Sequence, residues 1–98
     1  MIHLFHPGHV TASPGVLETV ESEDLFEALR RHVQADWGAL SDRDKLDNEH
    51  ALILDNGPLL SRYFTMKSQA FCVLTVPDRS RTMILLPDEI QSASRGEP

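Results

Sequence analysis

The chain has 98 residues, is 41% hydrophobic and 24% charged, and carries a net charge of −6. These values exclude a disordered acidic tail and predict one globular domain over residues 1–90, with QSASRGEP (91–98) as a fraying polar tail. No run approaches the roughly 18 apolar residues of a membrane span; MIHLFHPGHV lacks the basic and apolar regions of a signal peptide; and a single Cys excludes an intramolecular disulfide. The expected location is the cytoplasm.

In chain order, HVTA (9–12) reads as a short strand. Ser13-Pro14 then starts a helix, because Ser supplies a capping oxygen and Pro fits a first turn whose N–H groups are unbonded anyway. A short helix, PGVLETV, follows. Ser22 is the expected cap of a second helix, with Glu23 and Asp24 at its positive end and Arg30, Arg31 and His32 at its negative end. Leu25, Phe26, Leu29 and Val33 form its predicted inward stripe. Trp37-Gly38 breaks the pattern. Ser41 caps a third helix, predicted to run to about Asp55, where Asn56-Gly57-Pro58 stops it. That helix offers two competing stripes: Leu46, His50, Ile53 and Leu54, or Asn48, Ala51, Leu52 and Asp55.

Three strands are expected next. LLSRYFTM and AFCVLTV flank Lys67-Ser68-Gln69 as a hairpin. Pro77 to Ser80 form a turn, and RTMILL is a strand that Pro87 ends. The expected fold is α+β, with N-terminal helices packed on a C-terminal antiparallel meander of three to four strands.

Charge is unevenly placed. Residues 18–55 hold eleven acids against four bases, and residues 56–98 hold four acids against five bases. The acidic half argues against a DNA binder, which needs clustered Lys and Arg on the phosphates. It suits an acidic surface facing a basic partner, or a solvated helix face.

Five groups of residues carry possible chemistry. His3, His6 and His9 stand three apart, as zinc-binding imidazoles can, but Pro7-Gly8 breaks a helical register between them. No metal and no cofactor is expected. His32, Asp36, Glu49 and His50 gather around the helix junction, where imidazole and carboxylate could do acid–base work, although helix capping explains His32 equally. Cys72 lies mid-strand in an apolar run and reads as a buried small hydrophobe. Arg62, Thr75, Asp78, Arg79, Ser80 and Thr82 could hold a phosphate or carboxylate, or Asp78 could simply order its own turn. Asp36-Trp37-Gly38 reads as a helix corner, with Trp over the seam and Gly allowing the sharp turn.

Taken together, TASPGVLETV, HVQADWGALSDRDKLDNEHAL, LLSRY and DRSRTMILLPDEI resemble a family of small uncharacterised bacterial proteins met on plasmids and integrated elements. The family pattern reads TPGAL, then HxxGDWG with DKxxNExAL, then DRSxTTxLLPEEY, and the resemblance covers residues 11 to 90. Matching positions are His32, Asp36, Trp37, Gly38, Asp44, Lys45, Asn48, Glu49, Ala51, Leu52, Asp78, Arg79, Ser80, Thr82 and Pro87. Ala35 stands where the family has Gly, Met83 where it has Thr, and Ile90 where it has an aromatic residue; these departures are expected to matter little to packing. The resemblance implies an inward-facing Asn48, Ala51 and Leu52 stripe and supplies no activity.

Two readings follow. The first is a non-enzymatic protein-binding or accessory module of a mobile element, with a protein partner or a second copy, no membrane and no DNA. Its binding residues would be Asp36, Trp37, Asn48, Glu49, Asp78 and Arg79. The second is a small RNA- or phosphate-processing enzyme using the Arg62 and Arg79 sheet face, with His32, Ser80 and Thr82 as further catalytic candidates.

Overall fold

A computed structural model describes residues 4–90. The elements are β1 (His9–Ala12), α1 (Pro14–Thr19), α2 (Ser22–His32), α3 (Asp42–Leu54), β2 (Leu59–Phe64), β3 (Ala70–Thr75), β4 (Arg81–Leu85) and a 3-10 turn at Pro87–Glu89. The fold is α+β with one four-stranded sheet in the order β1-β4-β3-β2.

The expected all-antiparallel meander is corrected in one respect. β2, β3 and β4 form it, but β1 lies parallel to β4, pairing His9 with Arg81 and Ala12 with Ile84. The sheet is therefore mixed, and one of its strands precedes all three helices. Parallel neighbours need a long crossover, and the helices and the hairpin together provide it.

Local chemistry explains most boundaries. Ser13 Oγ accepts from the Val16 N–H at 3.1 Å, and Ser41 Oγ accepts from the Asp44 N–H at 3.1 Å, so α1 and α3 are capped as the sequence suggests. The α2 cap is corrected: Glu21 occupies that position without a side-chain capping bond, and Ser22 is already helical. Asp55 takes the left-handed conformation that ends α3. Glu89 Oε1 accepts from both Ser13 Oγ and the Leu86 N–H, which ties the last turn to the start of α1.

The main core joins Val16 and Val20, Ala28 of α2, and Tyr63, Phe71, Val73 and Ile84 from the inner sheet face. The expected α2 stripe holds at Leu25 and Val33, and Ala28 and His32 also face inward, but Phe26 is 74% exposed. A second, smaller core gathers Trp37, Ala51 and Leu59, with Phe5, Ala35, Leu40 and Leu52 against it. It buries the Asn48 and Ala51 side of α3 and leaves Leu46, Ile53 and Leu54 exposed.

Strand alternation assigns Leu60, Arg62, Cys72, Leu74, Met83 and Leu85 to the opposite, outer face. Cys72 and Leu74 are buried there yet belong to neither core.

Candidate functional site

The centre of the molecule holds a chain of polar side chains that begins at His32. α2 delivers the imidazole to the inner sheet face, where it is fully buried. Its Nδ1 lies 2.6 Å from Ser61 Oγ of β2, and its Nε2 lies 2.9 Å from Thr75 Oγ1 of β3. Thr75 Oγ1 lies 2.7 Å from Thr82 Oγ1 of β4, which donates to the Pro7 carbonyl at 2.7 Å.

The carbonyl at the end fixes every proton in this chain. Pro7 O can only accept, so Thr82 uses its one hydrogen there. Thr75 must then donate to Thr82, and His32 must donate from Nε2 to Thr75. Nδ1 is left bare and accepts from Ser61. All four side chains find partners, as buried polar groups must. The imidazole is neutral: burial, with a smaller push from the Arg79 charge, lowers its pKa to about 3.

Phe5 and Trp37 seal the imidazole. Their rings meet it edge-on, with centroids at 5.3 Å and 5.7 Å. The Ser61–His32 pair has the spacing of an activated nucleophile and its base, but Ser61 is also fully buried. At neutral pH this assembly joins α2, three strands and the N-terminal segment; it presents neither group to solvent.

The helix corner is built around Asp36, Trp37 and Gly38. Trp37 is buried and its Nε1–H donates to Glu49 Oε2 at 2.7 Å, joining the corner to α3. Asp36 accepts from Arg31 at 2.7 and 3.1 Å, and this bond holds its carboxyl below the usual range. Arg31 lies over the Tyr63 ring, and the Tyr63 hydroxyl donates to the Asp36 carbonyl at 2.7 Å. Burial pushes Tyr63 up to about 12. A Cβ on Gly38 would lie 2.0 Å from the Arg62 carbonyl. Only glycine fits there, where the corner runs beside β2 as an extra bridge.

The proposed anion cluster is dispersed. The Arg79 guanidinium donates to the carbonyls of Gly57 (2.6 Å), Pro77 (3.0 Å), Ala51 (3.1 Å) and Val76 (3.3 Å), so it clamps the end of α3 to the β3–β4 turn. Its Nε is buried without a hydrogen bond and lies 3.9 Å from Asp55. Asp78 accepts from the Ser80 N–H at 2.9 Å and orders its own turn. Thr75 and Thr82 belong to the His32 chain. Arg62 is exposed on the outer face, over the Phe64 ring. Arg62 and Arg79 therefore do not share a cleft.

The remaining candidates are scattered. Cys72 is buried, and that burial pushes its thiol pKa up. His50 is exposed, as are His6 and His9, while His3 lies outside the described residues. Sequence reasoning missed Ser61, Phe5 and Pro7. Ser61 had one signal: it stands between Leu59 and Tyr63 at the inward positions of LLSRYF, which calls for a buried partner. Nothing local marks Phe5 or Pro7.

Beside α3 runs a groove of about 420 Å³, whose lining includes Leu40, Asp44, Asp47, Asn48, Leu54 and Leu60. No family model, curated protein or solved structure matches the chain.

Proposed function

We propose that the protein is a non-enzymatic binding module that docks the solvent side of α3 on a basic protein surface. The observation that carries this reading is the composition of that side. Leu46 and Ile53 are 53% and 76% exposed, and the neighbouring carboxylates Asp42 and Asp47 have no ion-pair partner among the described residues. Apolar anchors beside unpaired carboxylates suit recognition of a partner with the opposite potential. Phe26, 74% exposed on α2 between Glu23 and Glu27, extends the same character.

The polar residues that could have formed a reaction centre support the same reading, since His32, Thr75 and Thr82 are engaged inside the fold. The family resemblance extends it to an accessory role in the cytoplasm, alongside proteins of a plasmid or integrated element.

The test is capture from host extract on the tagged chain, with and without nuclease. A paired bait carries Leu46→Lys and Ile53→Lys. One protein held by the native chain, released by high salt and not held by the variant, is the expected result. Equal capture by both baits, or recovery of RNA alone, would overturn the proposal.

A further inference from the structure

The chain has two asparagines, and the fold treats them in opposite ways. Asn48 is buried on α3, with both ends of its amide bonded to the Leu60 backbone. Asn56 is exposed just past the end of α3, and its side chain makes no hydrogen bond among the described residues.

Gly57 follows it. The hydrogen bonds of this loop run from the Asn56 N–H to the Ala51 carbonyl at 3.0 Å and from Arg79 to the Gly57 carbonyl at 2.6 Å. The Gly57 N–H is left unbonded among the described residues. Gly57 has φ +103°, and a Cβ placed on it would meet only the Ala51 methyl, at 3.5 Å. No side chain of its own shields the glycine nitrogen.

We propose that Asn56-Gly57 is a self-modification site, at which the folded chain loses ammonia and Asn56 becomes an aspartyl or isoaspartyl residue, with water as the co-reactant. Hydroxide takes the Gly57 N–H proton. The nitrogen pair attacks Asn56 Cγ and closes a five-membered succinimide. The Cγ–Nδ2 bond breaks, and Nδ2 takes a proton from water and leaves as ammonia. A water molecule then opens the ring at one of its two carbonyls. Opening at Cγ gives aspartate on the original main chain. Opening at the main-chain carbonyl gives isoaspartate, whose main chain runs through Cγ. Nothing is oxidised or reduced. The attack is intramolecular, so the chain itself supplies the proximity. The Arg79 guanidinium, held against the Gly57 carbonyl, places a positive charge beside the nitrogen that must become anionic. Asn48 has neither feature: its amide is engaged and the residue after it is Glu49.

The two products act differently on the fold. Aspartate adds a carboxylate to a groove wall that already holds Asp44 and Asp47. Isoaspartate also inserts a methylene into the main chain between Asp55, the left-handed cap of α3, and the carbonyl that Arg79 grips. It therefore loosens the tie between α3 and the β3–β4 turn. The inference stands independently of the proposed function.

Ageing the full chain at neutral and at mildly alkaline pH, followed by peptide mapping in a mass spectrometer and enzymatic methylation of isoaspartate, tests it. Conversion at Asn56, faster at the higher pH, with Asn48 unchanged, is expected. The folded chain should convert within about tenfold of the rate of the same chain in concentrated urea. Asn56→Gln, whose longer side chain disfavours the five-membered ring, should lose the methylation signal; if circular dichroism shows it unfolded, Asn56→Ser replaces it. The chromatographically separated isoaspartyl form should melt below the native chain, whereas Asn56→Asp should melt with it. A folded chain that converts more than about tenfold slower than the unfolded one, or that converts equally at Asn48 and Asn56, would overturn the proposal. An isoaspartyl form as stable as the native chain would overturn the loosened clamp.

Discussion

The side-chain amide of Asn48 exchanges two hydrogen bonds with the backbone of Leu60. It donates to the carbonyl at 2.6 Å and accepts from the N–H at 3.1 Å. A residue on a helix thus plays the part of a neighbouring strand for β2, whose other side is already paired with β3. Replacing Asn48 with Leu leaves a donor and an acceptor unpaired in a partly buried place. The expected loss is about 2–4 kcal/mol, read as a lower denaturation midpoint. Asn48→Asp should also be destabilising, since a carboxylate cannot donate to the Leu60 carbonyl. Unchanged stability in both variants would contradict the pairing.

Acid should unfold the protein through His32. The folded pKa is near 3 and the ordinary value is 6.5, so the unfolded chain takes up the proton first. Stability contributed by the neutral imidazole is complete above pH 6.5 and falls as the pH drops towards 3. The slope approaches about 1.4 kcal/mol per pH unit. Denaturant titrations at pH 7, 6, 5 and 4 measure it. His32→Gln should be less stable at pH 7 but should lack most of this slope. An equal slope in the variant would mean that other groups carry the acid sensitivity.

Arg79 and Arg62 should respond oppositely to truncation. Arg79→Ala removes the clamp on four backbone carbonyls and should cost about 2–4 kcal/mol. Arg62→Ala, at an exposed position, should stay within about 0.5 kcal/mol of the native chain. Thermal melts of the two variants decide this; a neutral Arg79→Ala would return Arg79 to the list of binding candidates.

Ala35→Gly should stabilise the fold. Ala35 has φ +62° just after α2, a left-handed conformation that costs an L side chain roughly 1 kcal/mol and glycine little. A gain of about 0.5–1 kcal/mol is expected, and a loss would show that the methyl contact with Trp37 and its neighbours outweighs the backbone strain.

Much of the architecture is legible in the sequence because its signals are local. Ser13-Pro14 and Ser41 mark helix starts through their own backbone chemistry, Asn56-Gly57-Pro58 places the end of α3 to within a residue or two although the left-handed cap falls on Asp55, and the β2–β3–β4 order follows from two short turns. The β1 pairing is not legible, since four residues with an exposed pattern carry no information about which edge they join. On α2 only two places are misjudged, with Phe26 counted as core and His32 as a cap. Helical spacing alone ranks both by hydrophobicity, whereas three hydroxyls on the sheet make the imidazole the better-accommodated residue. Polar residues in DRSRT look like a site in one dimension because they are adjacent, but strand alternation and the turn send Arg79, Ser80 and Thr82 in different directions.

The contact between Pro7 and Thr82 joins positions 75 residues apart in the chain, and β1 joins β4 over almost the same separation. The hydroxyl chain through His32 therefore cannot be completed during synthesis until β4 has emerged. Until then Thr82 is missing, and Phe5 has no closed pocket to seal. Loops of this span are slow to close, so the segment around Pro7 should be the last part to gain protection in a refolding experiment, although it is made before every element it joins.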